Sequence, residues 1–190
     1  MSTSKRRERE LAERERLIVT AARDLAEAQG WDAVTTRRLA EIIEYSQPVL
    51  YSHFKGKDAI MAAVAVEGCA ELAVLLRAAR TAAPDGVAAL AAVAHAYTDF
   101  AEQRPALYEA IFALAVGLPF ATPAAPAPLQ EAFGELLEAV RPLVGDDDLG
   151  VRTEVFWASL HGLATLMRDG RLLPDGREQR LAVLLDRFGD

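Results

Sequence analysis

The residues best suited to bind a polyanion are concentrated in one stretch, residues 34–60. It holds the hydroxyl of Thr35, the guanidinium of Arg37, the amide of Gln47 and the ammonium of Lys57. Such groups donate hydrogen bonds to phosphate oxygens, and a guanidinium or an amide can also recognise the edges of bases. The composition of this stretch therefore indicates contact with a nucleic acid.

Two short helices and a tight turn are expected to position these side chains. Thr35 is a favourable N-cap, and apolar residues at helical spacing then predict a helix over Thr36–Ile43. Ser46 is expected to cap a second helix, Gln47–His53, with Pro48 in its first turn, where a missing N–H costs no hydrogen bond. The first residues of that second helix would then be free to meet base edges in a major groove.

The same stretch resembles the DNA-binding domain of the tetracycline-repressor (TetR) family. The resemblance rests on Thr35-Thr36-Arg37, then Gln47-Pro48-x-Leu50-Tyr51-x-His53, then Lys55-x-Lys57, all in register. It implies an N-terminal three-helix helix-turn-helix domain in a transcriptional regulator whose partner is a double-stranded DNA operator. It also implies DNA contacts from Thr35, Thr36, Arg37, Gln47, Pro48, Val49, Tyr51, His53 and Lys57.

These contacts divide into base recognition and backbone binding. Arg37 is expected at a guanine edge or a phosphate and Gln47 at an adenine, the alternatives being a solvated charge and an ordinary polar first-turn residue. Tyr51 and His53 resemble family positions that touch the DNA backbone, the alternatives being packing against the first helix and an exposed histidine. Lys57 lies at the start of the following helix, where free N–H groups already favour a phosphate.

The turn between the two helices departs from the family pattern. The position that is often Gly is Glu44 here, and a non-Gly residue in a left-handed turn costs on the order of 1 kcal/mol. Loss of this turn would favour a second hypothesis, a helical small-molecule-binding or enzymatic domain with a vestigial helix-turn-helix. A third hypothesis is a helical protein-interaction module whose apolar faces bind partners.

Charge and length favour two domains. A chain of 190 residues with 52% hydrophobic content can bury one large core or two small ones. Residues 1–57 hold eleven Lys and Arg against nine Asp and Glu, or +2, and residues 58–190 hold ten against nineteen, or −9. The acidic remainder repels DNA, so only the N-terminal part would approach phosphates. We predict a DNA-binding domain over 1–57 and a ligand-binding and dimerisation domain over 58–190.

The predicted fold class is all-α, because the chain carries helical periodicity and no strand pattern. Four prolines within residues 118–128 predict an irregular connection there. The other predicted helices are Arg6–Gln29, Asp58 to just before Pro84, Gly86–Gln103, Ala106–Val116, Leu129–Val144, Val151–Met167 and Arg177–Phe188.

The C-terminal part resembles a ligand-domain subgroup of the same family through Trp157-x-x-x-His161-Gly162. This resemblance implies a pocket wall with an aromatic plate and one polar group, and the alternative is a satisfied core pair. Core packing is also the alternative for the further candidates Tyr97, Phe100, Tyr108 and Phe112. Leu129–Val144 and Val151–Met167 resemble the family's dimerising helices, so we expect a homodimeric repressor that an unknown small-molecule effector releases from a palindromic operator.

Catalytic, metal and cofactor sites are not expected. The three histidines lie 42 and 66 residues apart, and Asp146-Asp147-Asp148 lacks the alternate spacing of a calcium loop. Cys69 is the single cysteine, which excludes an internal disulfide and suits a buried small apolar residue. The N-terminus does not resemble a signal peptide, and no run of eighteen apolar residues lacks a charge, so we expect a cytoplasmic protein with no membrane segment.

Overall fold

A computed structural model describes residues 3–114, 117–120 and 122–189 of the chain. Within these residues the chain forms helices and connections without a strand, so the predicted all-α fold class is confirmed. Two single-turn 3₁₀ helices, Trp31–Ala33 and Pro174–Gly176, precede α2 and α9. The helices of the described residues are α1 (Thr3–Gln29), α2 (Thr36–Ile42), α3 (Gln47–His53), α4 (Lys57–Ala82), α5 (Gly86–Gln103), α6 (Pro105–Phe112), α7 (Ala127–Val144), α8 (Leu149–Arg168) and α9 (Arg177–Gly189).

The predicted bounds hold to the residue for α3 and α5. Helix α6 ends at Phe112, earlier than the predicted Val116, and residues 115 and 116 lie outside the described part of the chain. The predicted irregular connection is also shorter, because α7 already begins at Ala127, with Pro128 in its first turn. A proline there costs no hydrogen bond, so it does not delay the start of the helix.

The chain divides into two compact units. The first comprises Met1–Gly68 and Ala106–Leu118, and the second comprises Cys69–Pro105 and Pro119–Asp190. Helix α6 therefore belongs to the first unit although the predicted second domain contains its sequence. The prediction of functional domains over 1–57 and 58–190 remains a prediction.

The core of the first unit is built from the apolar faces of α1, α2, α3, α4 and α6. On α1, helical spacing predicts an apolar stripe of Ile18, Ala21, Ala22 and Leu25, and all of these except the half-buried Ala21 are buried. The other buried side chains include Leu39 of α2, Leu50 of α3, Ile60 and Val64 of α4, and Leu107, Tyr108 and Ile111 of α6. Leu39 and Leu50 are completely buried and anchor the two short helices, with Ala40 also buried on α2.

The turn between α2 and α3 keeps its left-handed geometry despite Glu44, whose φ is 56°. The N–H of Tyr45 donates to the carbonyl of Ala40 at 2.9 Å, and the N–H of Glu44 donates to that of Glu41 at 3.4 Å. These two bonds form a Schellman motif, which satisfies the last carbonyls of α2. The predicted side-chain cap at Ser46 is wrong: Ser46 occupies the N-cap position of α3, but its hydroxyl makes no capping hydrogen bond.

In the second unit, α5, α7 and α8 pack against one another, and α9 packs on α5 and α7. The fully buried side chains include Tyr97 on α5 together with Phe156 and Leu160 on α8. On α7 the buried face is rotated from the stripe that helical spacing predicts, because only one of its four residues is fully buried, Val140, and the others are half-buried: Phe133, Leu137 and Val144. The residues that α7 buries are instead Leu129, Ala132, Glu135, Leu136, Ala139 and Val140.

A buried carboxylate explains part of that rotation. Glu135 accepts hydrogen bonds from Arg77 Nε at 2.6 Å and from Arg80 Nε and Nη2 at 3.0 and 2.7 Å. Apolar periodicity cannot show this face, because Glu135 breaks the pattern at a buried position. The ion-paired cluster joins α7 to the part of α4 that lies in the second unit.

Helix α4 is long and apolar enough to cross a membrane by length and composition, and half of its most apolar window is buried within the fold. Core helices of globular proteins meet the same description. Length and composition by themselves are therefore weak evidence that α4 crosses a membrane. Cys69 on α4 is buried, as predicted, and its burial raises the thiol pKa to about 12. The thiol is therefore protonated and unreactive at neutral pH.

Candidate nucleic-acid interface

The N-terminus of α2 is fixed by side-chain hydrogen bonds. The Thr35 hydroxyl accepts a hydrogen bond from the backbone N–H of Arg38 at 3.2 Å, which confirms the predicted cap. Arg38 itself donates from Nη2 to the Gln29 side chain at 2.7 Å, at the end of α1. Because the helix start is held from both sides, Thr36 and Arg37 occupy a defined position in the first turn.

The first turn of α3 is exposed. Gln47, Pro48 and Val49 all lie on the surface, and Tyr51 is 51% exposed. The Tyr51 and Thr36 hydroxyls are 3.3 Å apart, which links the exposed side of α3 to the start of α2. The backbone of α3 is anchored by the completely buried Leu50, so the outward residues sit on a rigid support. Tyr51 thus contacts the first helix of the motif through its hydroxyl and keeps about half of its surface exposed, and its contact with the DNA backbone remains a prediction.

Arg37 projects from α2 with 79% of its side chain exposed. Its Nε donates to the Glu41 carboxylate at 3.0 Å, one turn further along the helix. A guanidinium held through Nε can still donate from both terminal nitrogens, the pair that fits the O6 and N7 atoms of guanine. The arrangement suits base recognition, although an exposed pair at this spacing is also common on solvated helices.

His53 differs from the other predicted contacts, because only 3% of its side chain is exposed. Its Nδ1 has no hydrogen-bond partner and lies 3.7 Å from the Glu15 carboxylate of α1. The alternative of an exposed histidine is therefore wrong. The ring packs at the α1 side of α3, where it influences how α3 is seated.

Lys57 begins α4 and is half-buried. Its Nζ donates to the backbone carbonyl of Trp31 at 2.5 Å. The ammonium is therefore held at the Trp31 carbonyl, and the residue itself begins α4, a helix end where charge and free N–H groups favour a phosphate.

Three of the predicted ligand-binding residues meet inside the second unit. Trp157 Nε1 donates to the Tyr97 hydroxyl at 3.1 Å, and that hydroxyl is 3.5 Å from His161 Nδ1. Burial lowers the pKa of His161, and the nearby Arg168 charge lowers it further. The imidazole is therefore neutral at pH 7 and can accept a hydrogen bond from the tyrosine hydroxyl. The ring of Phe133 packs edge-on against Trp157, with centroids 6.2 Å apart.

The remaining candidates are divided between the two units. Phe100 is buried on α5 in the second unit. Tyr108 and Phe112 lie on α6 in the first unit, where their ring centroids are 4.7 Å apart. Among the described residues, no group of three or more His, Cys, Asp or Glu side chains could hold a metal ion.

A surface groove of about 510 Å³ lies in the first unit. It follows one face of α1, whose polar and charged side chains make it unlike the mainly apolar pockets that bind small molecules. The predicted ligand-binding residues do not line it. Its lining residues are Glu10, Glu13, Arg14, Arg16, Leu17, Thr20 and Tyr45.

Two family descriptions match the chain. "Bacterial regulatory proteins, tetR family" matches residues 18–64, and "Tetracyclin repressor-like, C-terminal domain" matches residues 90–188, just over half of the sequence. The chain belongs to the tetR family of bacterial regulatory proteins. The resemblance found in the helix-turn-helix residues is therefore confirmed, whereas the Trp157-x-x-x-His161-Gly162 subgroup remains a prediction.

Individual relatives of this TetR-family chain agree with that membership. The HTH-type transcriptional regulator YobS of Bacillus subtilis (strain 168) is 35% identical over 96 residues, which is 50% of this chain and 50% of YobS. The chain thus matches about half the length of that relative. A solved structure of a protein of unknown function from Rhodococcus sp. RHA1 has a TM-score of 0.74 at 26% identity, covering 92% of this chain and 93% of that one.

A third comparison is with BioQ, solved with its natural double-stranded DNA operator. Its TM-score is 0.68 at 22% identity, covering 92% of this chain and 97% of that chain. At this identity the similarity shows a shared fold. The all-helical TetR-like architecture of the chain is therefore common to a protein whose structure includes DNA.

Several residues that shape the site were not predicted from the sequence. Glu41 holds Arg37, Glu15 lies beside His53, and the Trp31 carbonyl holds Lys57. A carboxylate four residues after Arg37 is a visible signal on a helix. The partners of His53 and Lys57 lie 38 and 26 residues away in sequence, so only the folded structure reveals them.

Proposed function

We propose that this chain is a DNA-binding transcriptional repressor that acts in the cytoplasm as a homodimer and releases a palindromic operator when a small molecule binds. The single observation that carries the proposal is the exposed first turn of α3, anchored by Leu50 beneath and flanked by Arg37. Membership of the tetR family supports the same function. The proposal includes no catalysed reaction.

Base recognition is assigned to Arg37 and Gln47. The terminal nitrogens of Arg37 match a guanine edge, and the Gln47 amide matches an adenine edge, since each can form two parallel hydrogen bonds there. Val49 is an exposed apolar residue beside them and suits a thymine methyl group. The left-handed turn at Glu44 supports this assignment, because it ends α2 and separates it from α3 as a helix-turn-helix requires.

Backbone binding is assigned to Thr35, Thr36, Tyr51 and Lys57. These side chains supply hydroxyl and ammonium donors, which fix a protein on DNA without reporting sequence. Pro48 contributes the fixed backbone at the start of α3 and a van der Waals surface. The contact predicted for His53 is proposed to be indirect, because its side chain is buried beside Glu15 of α1 at the end of α3.

A second copy of the chain is the proposed partner of α7 and α8. Val151, Val155 and Leu166 share one face of α8 and are 61%, 53% and 38% exposed. Apolar side chains repeated along one helix face are stabilised when a partner removes them from water. A symmetric pair would place two α3 helices about one DNA turn apart, ~34–36 Å, so the operator would be a palindrome.

The effector site is proposed at Tyr97, Phe100, Trp157 and His161 in the second unit, and ligand binding by Tyr108 and Phe112 of the first unit remains a prediction from the sequence. The hydrogen-bonded Trp157, Tyr97 and His161 side chains provide a few polar groups among aromatic rings, which is typical of small-molecule sites. Release requires only that the effector binds more tightly to a conformation whose two α3 helices do not fit the operator.

The test is selection of bound duplexes from a random DNA pool with the full-length chain. We expect an inverted repeat whose half-sites are centred about 10–10.5 base pairs, or a multiple of that, apart. Recovery of duplexes with no common sequence, at an affinity that depends only on salt, would contradict the proposal.

A further inference from the structure

Helix α6 is attached to α1 by a carboxylate. The Glu27 side chain accepts hydrogen bonds from the backbone N–H groups of Ala106 and Leu107 at 3.2 and 3.1 Å. Both groups lie in the first turn of α6, where an N–H has no partner within the helix. A carboxylate at that end is also favoured by the helix dipole. Glu27 therefore caps α6 although it precedes Ala106 by 79 positions in the chain.

Trp31 makes a second attachment to the same end of α6. Its indole Nε1 donates to the carbonyl of Ala106 at 2.8 Å, and the residue is only 5% exposed. Its own backbone carbonyl accepts the hydrogen bond from Lys57 Nζ at 2.5 Å. Trp31 thus contacts α6 through its side chain and the first residue of α4 through its main chain.

Close packing fixes α6 against α4 as well. A Cβ atom added at Gly68 would lie 2.7 Å from Leu107 Cδ1 and 2.9 Å from Ile111 Cδ1, which is too close for normal contact. Gly68 therefore allows α6 to approach α4 directly. Together with Glu27 and Trp31, this contact leaves α6 little freedom to move within the first unit.

We propose that Trp31 is a positioning residue for the phosphate contact of Lys57, and that α6 contributes to DNA affinity through Trp31 without touching DNA. The inference rests on the proposed DNA binding by the first unit. An ammonium has three donors, and the Trp31 carbonyl occupies one while leaving the positive charge intact. The flexible lysine side chain is thereby ordered before a phosphate arrives, so less entropy is lost on binding.

Glu27 acts in the same direction through α6. Its two hydrogen bonds hold the Ala106 peptide whose carbonyl receives the Trp31 indole. Loosening the α6 N-terminus therefore loosens the Trp31 anchor, and with it the carbonyl that holds Lys57. The N-terminus of α6 is therefore expected to position Trp31, and Trp31 is expected to position Lys57.

The experiment is a double-mutant cycle on DNA affinity. The full-length chain is titrated into a labelled 30-base-pair duplex of random sequence, at several salt concentrations, as wild type, Trp31→Phe, Lys57→Ala and the double variant. Phenylalanine keeps an aromatic ring in the core but removes the indole donor together with the five-membered ring that carries it. We expect Trp31→Phe to weaken binding by about threefold to tenfold, and by less than about twofold when Lys57 is already alanine.

Glu27→Gln provides an independent route to the same result. It retains one acceptor oxygen and should accelerate hydrogen exchange at the Ala106 and Leu107 amides. Its loss of DNA affinity should likewise disappear in the Lys57→Ala background. The matched control is Glu102→Gln on α5, an exposed carboxylate ion-paired with Arg177 at 3.4 Å, which should leave DNA affinity unchanged.

The outcomes are distinguishable. A folded wild-type chain that does not bind any duplex would overturn the proposed function itself. If the wild-type chain binds DNA but Trp31→Phe lowers the affinity equally in the wild-type and Lys57→Ala backgrounds, only the positioning role would be overturned. Unchanged affinity in both Trp31→Phe and Glu27→Gln, with exchange at Ala106 accelerated, would also overturn it, because α6 would then have no influence on DNA affinity.

Discussion

Removal of the Glu135 carboxylate should destabilise the second unit more than any surface substitution. Glu135 is 5% exposed and accepts three hydrogen bonds from Arg77 and Arg80. Burial raises the pKa of its carboxyl, but the hydrogen bonds and charges of the two arginines together outweigh burial and hold the pKa below its ordinary value. The carboxylate is therefore ionised at neutral pH and shared between two cations.

The expected loss for Glu135→Ala is about 2–3 kcal/mol in the free energy of unfolding. Breaking a fully buried ion pair costs about 3–5 kcal/mol, because the remaining charge is left without a partner. Here the arginine side chains are 56% and 25% exposed, so water can partly solvate them after the carboxylate is removed. The loss in free energy of unfolding should thus be smaller than for a fully buried ion pair and larger than for an exposed pair.

Urea denaturation followed by circular dichroism, at one fixed protein concentration, measures this loss. The matched control is Glu138→Ala on the same helix, whose carboxylate is 47% exposed and pairs with Arg141. It should change stability by less than about 0.5 kcal/mol. Because the folded pKa of Glu135 is lowered, its contribution is present above the unfolded pKa of about 4.3 and is lost as the pH falls through the folded pKa. Equal stability of wild type and Glu135→Ala at neutral pH would refute this reasoning.

Three other experiments test separate parts of the account. Glu44→Gly should raise the free energy of unfolding by about 1 kcal/mol, because φ is 56° there, and a loss of stability in urea would contradict the left-handed turn. Leu137→Glu should give a folded monomer in sedimentation experiments, because facing carboxylates in a dimer would be desolvated without partners; a stable dimer would remove α7 from the interface. In a Trp31→Phe background, an effector that releases DNA should shift Trp157 emission, and His161→Ala should weaken that effector by about 1–3 kcal/mol. Unchanged Trp157 emission and unchanged effector affinity in His161→Ala would indicate that both side chains only pack in the core.

Local sequence signals were sufficient for the helix-turn-helix. The Thr35 cap and the placement of Pro48 gave the correct start of α2 and bounds of α3, because capping and proline geometry depend on adjacent residues. The buried ring of His53 could not be predicted in this way. Its neighbour Glu15 lies on α1 and comes within 3.7 Å of the ring only in the folded chain.

Predictions that depended on tertiary packing were less complete. The buried face of α7 includes Glu135, which apolar periodicity excludes, and its partners Arg77 and Arg80 lie 58 and 55 residues away. The assignment of α6 to the first unit depends similarly on Glu27 and Trp31, residues with no pattern that points to α6. Long-range polar contacts of this kind leave no periodic trace in a sequence.

The most direct test of the central claim is the affinity of Gln47→Ala for the selected operator and for random DNA at the same salt concentration. If α3 reads bases, the variant should lose about 1–3 kcal/mol on the operator and almost nothing on random DNA. Lys57→Ala is the matched comparison and should weaken both, with a salt slope smaller by about one per subunit. Equal losses on the two DNAs for Gln47→Ala would contradict sequence recognition by α3.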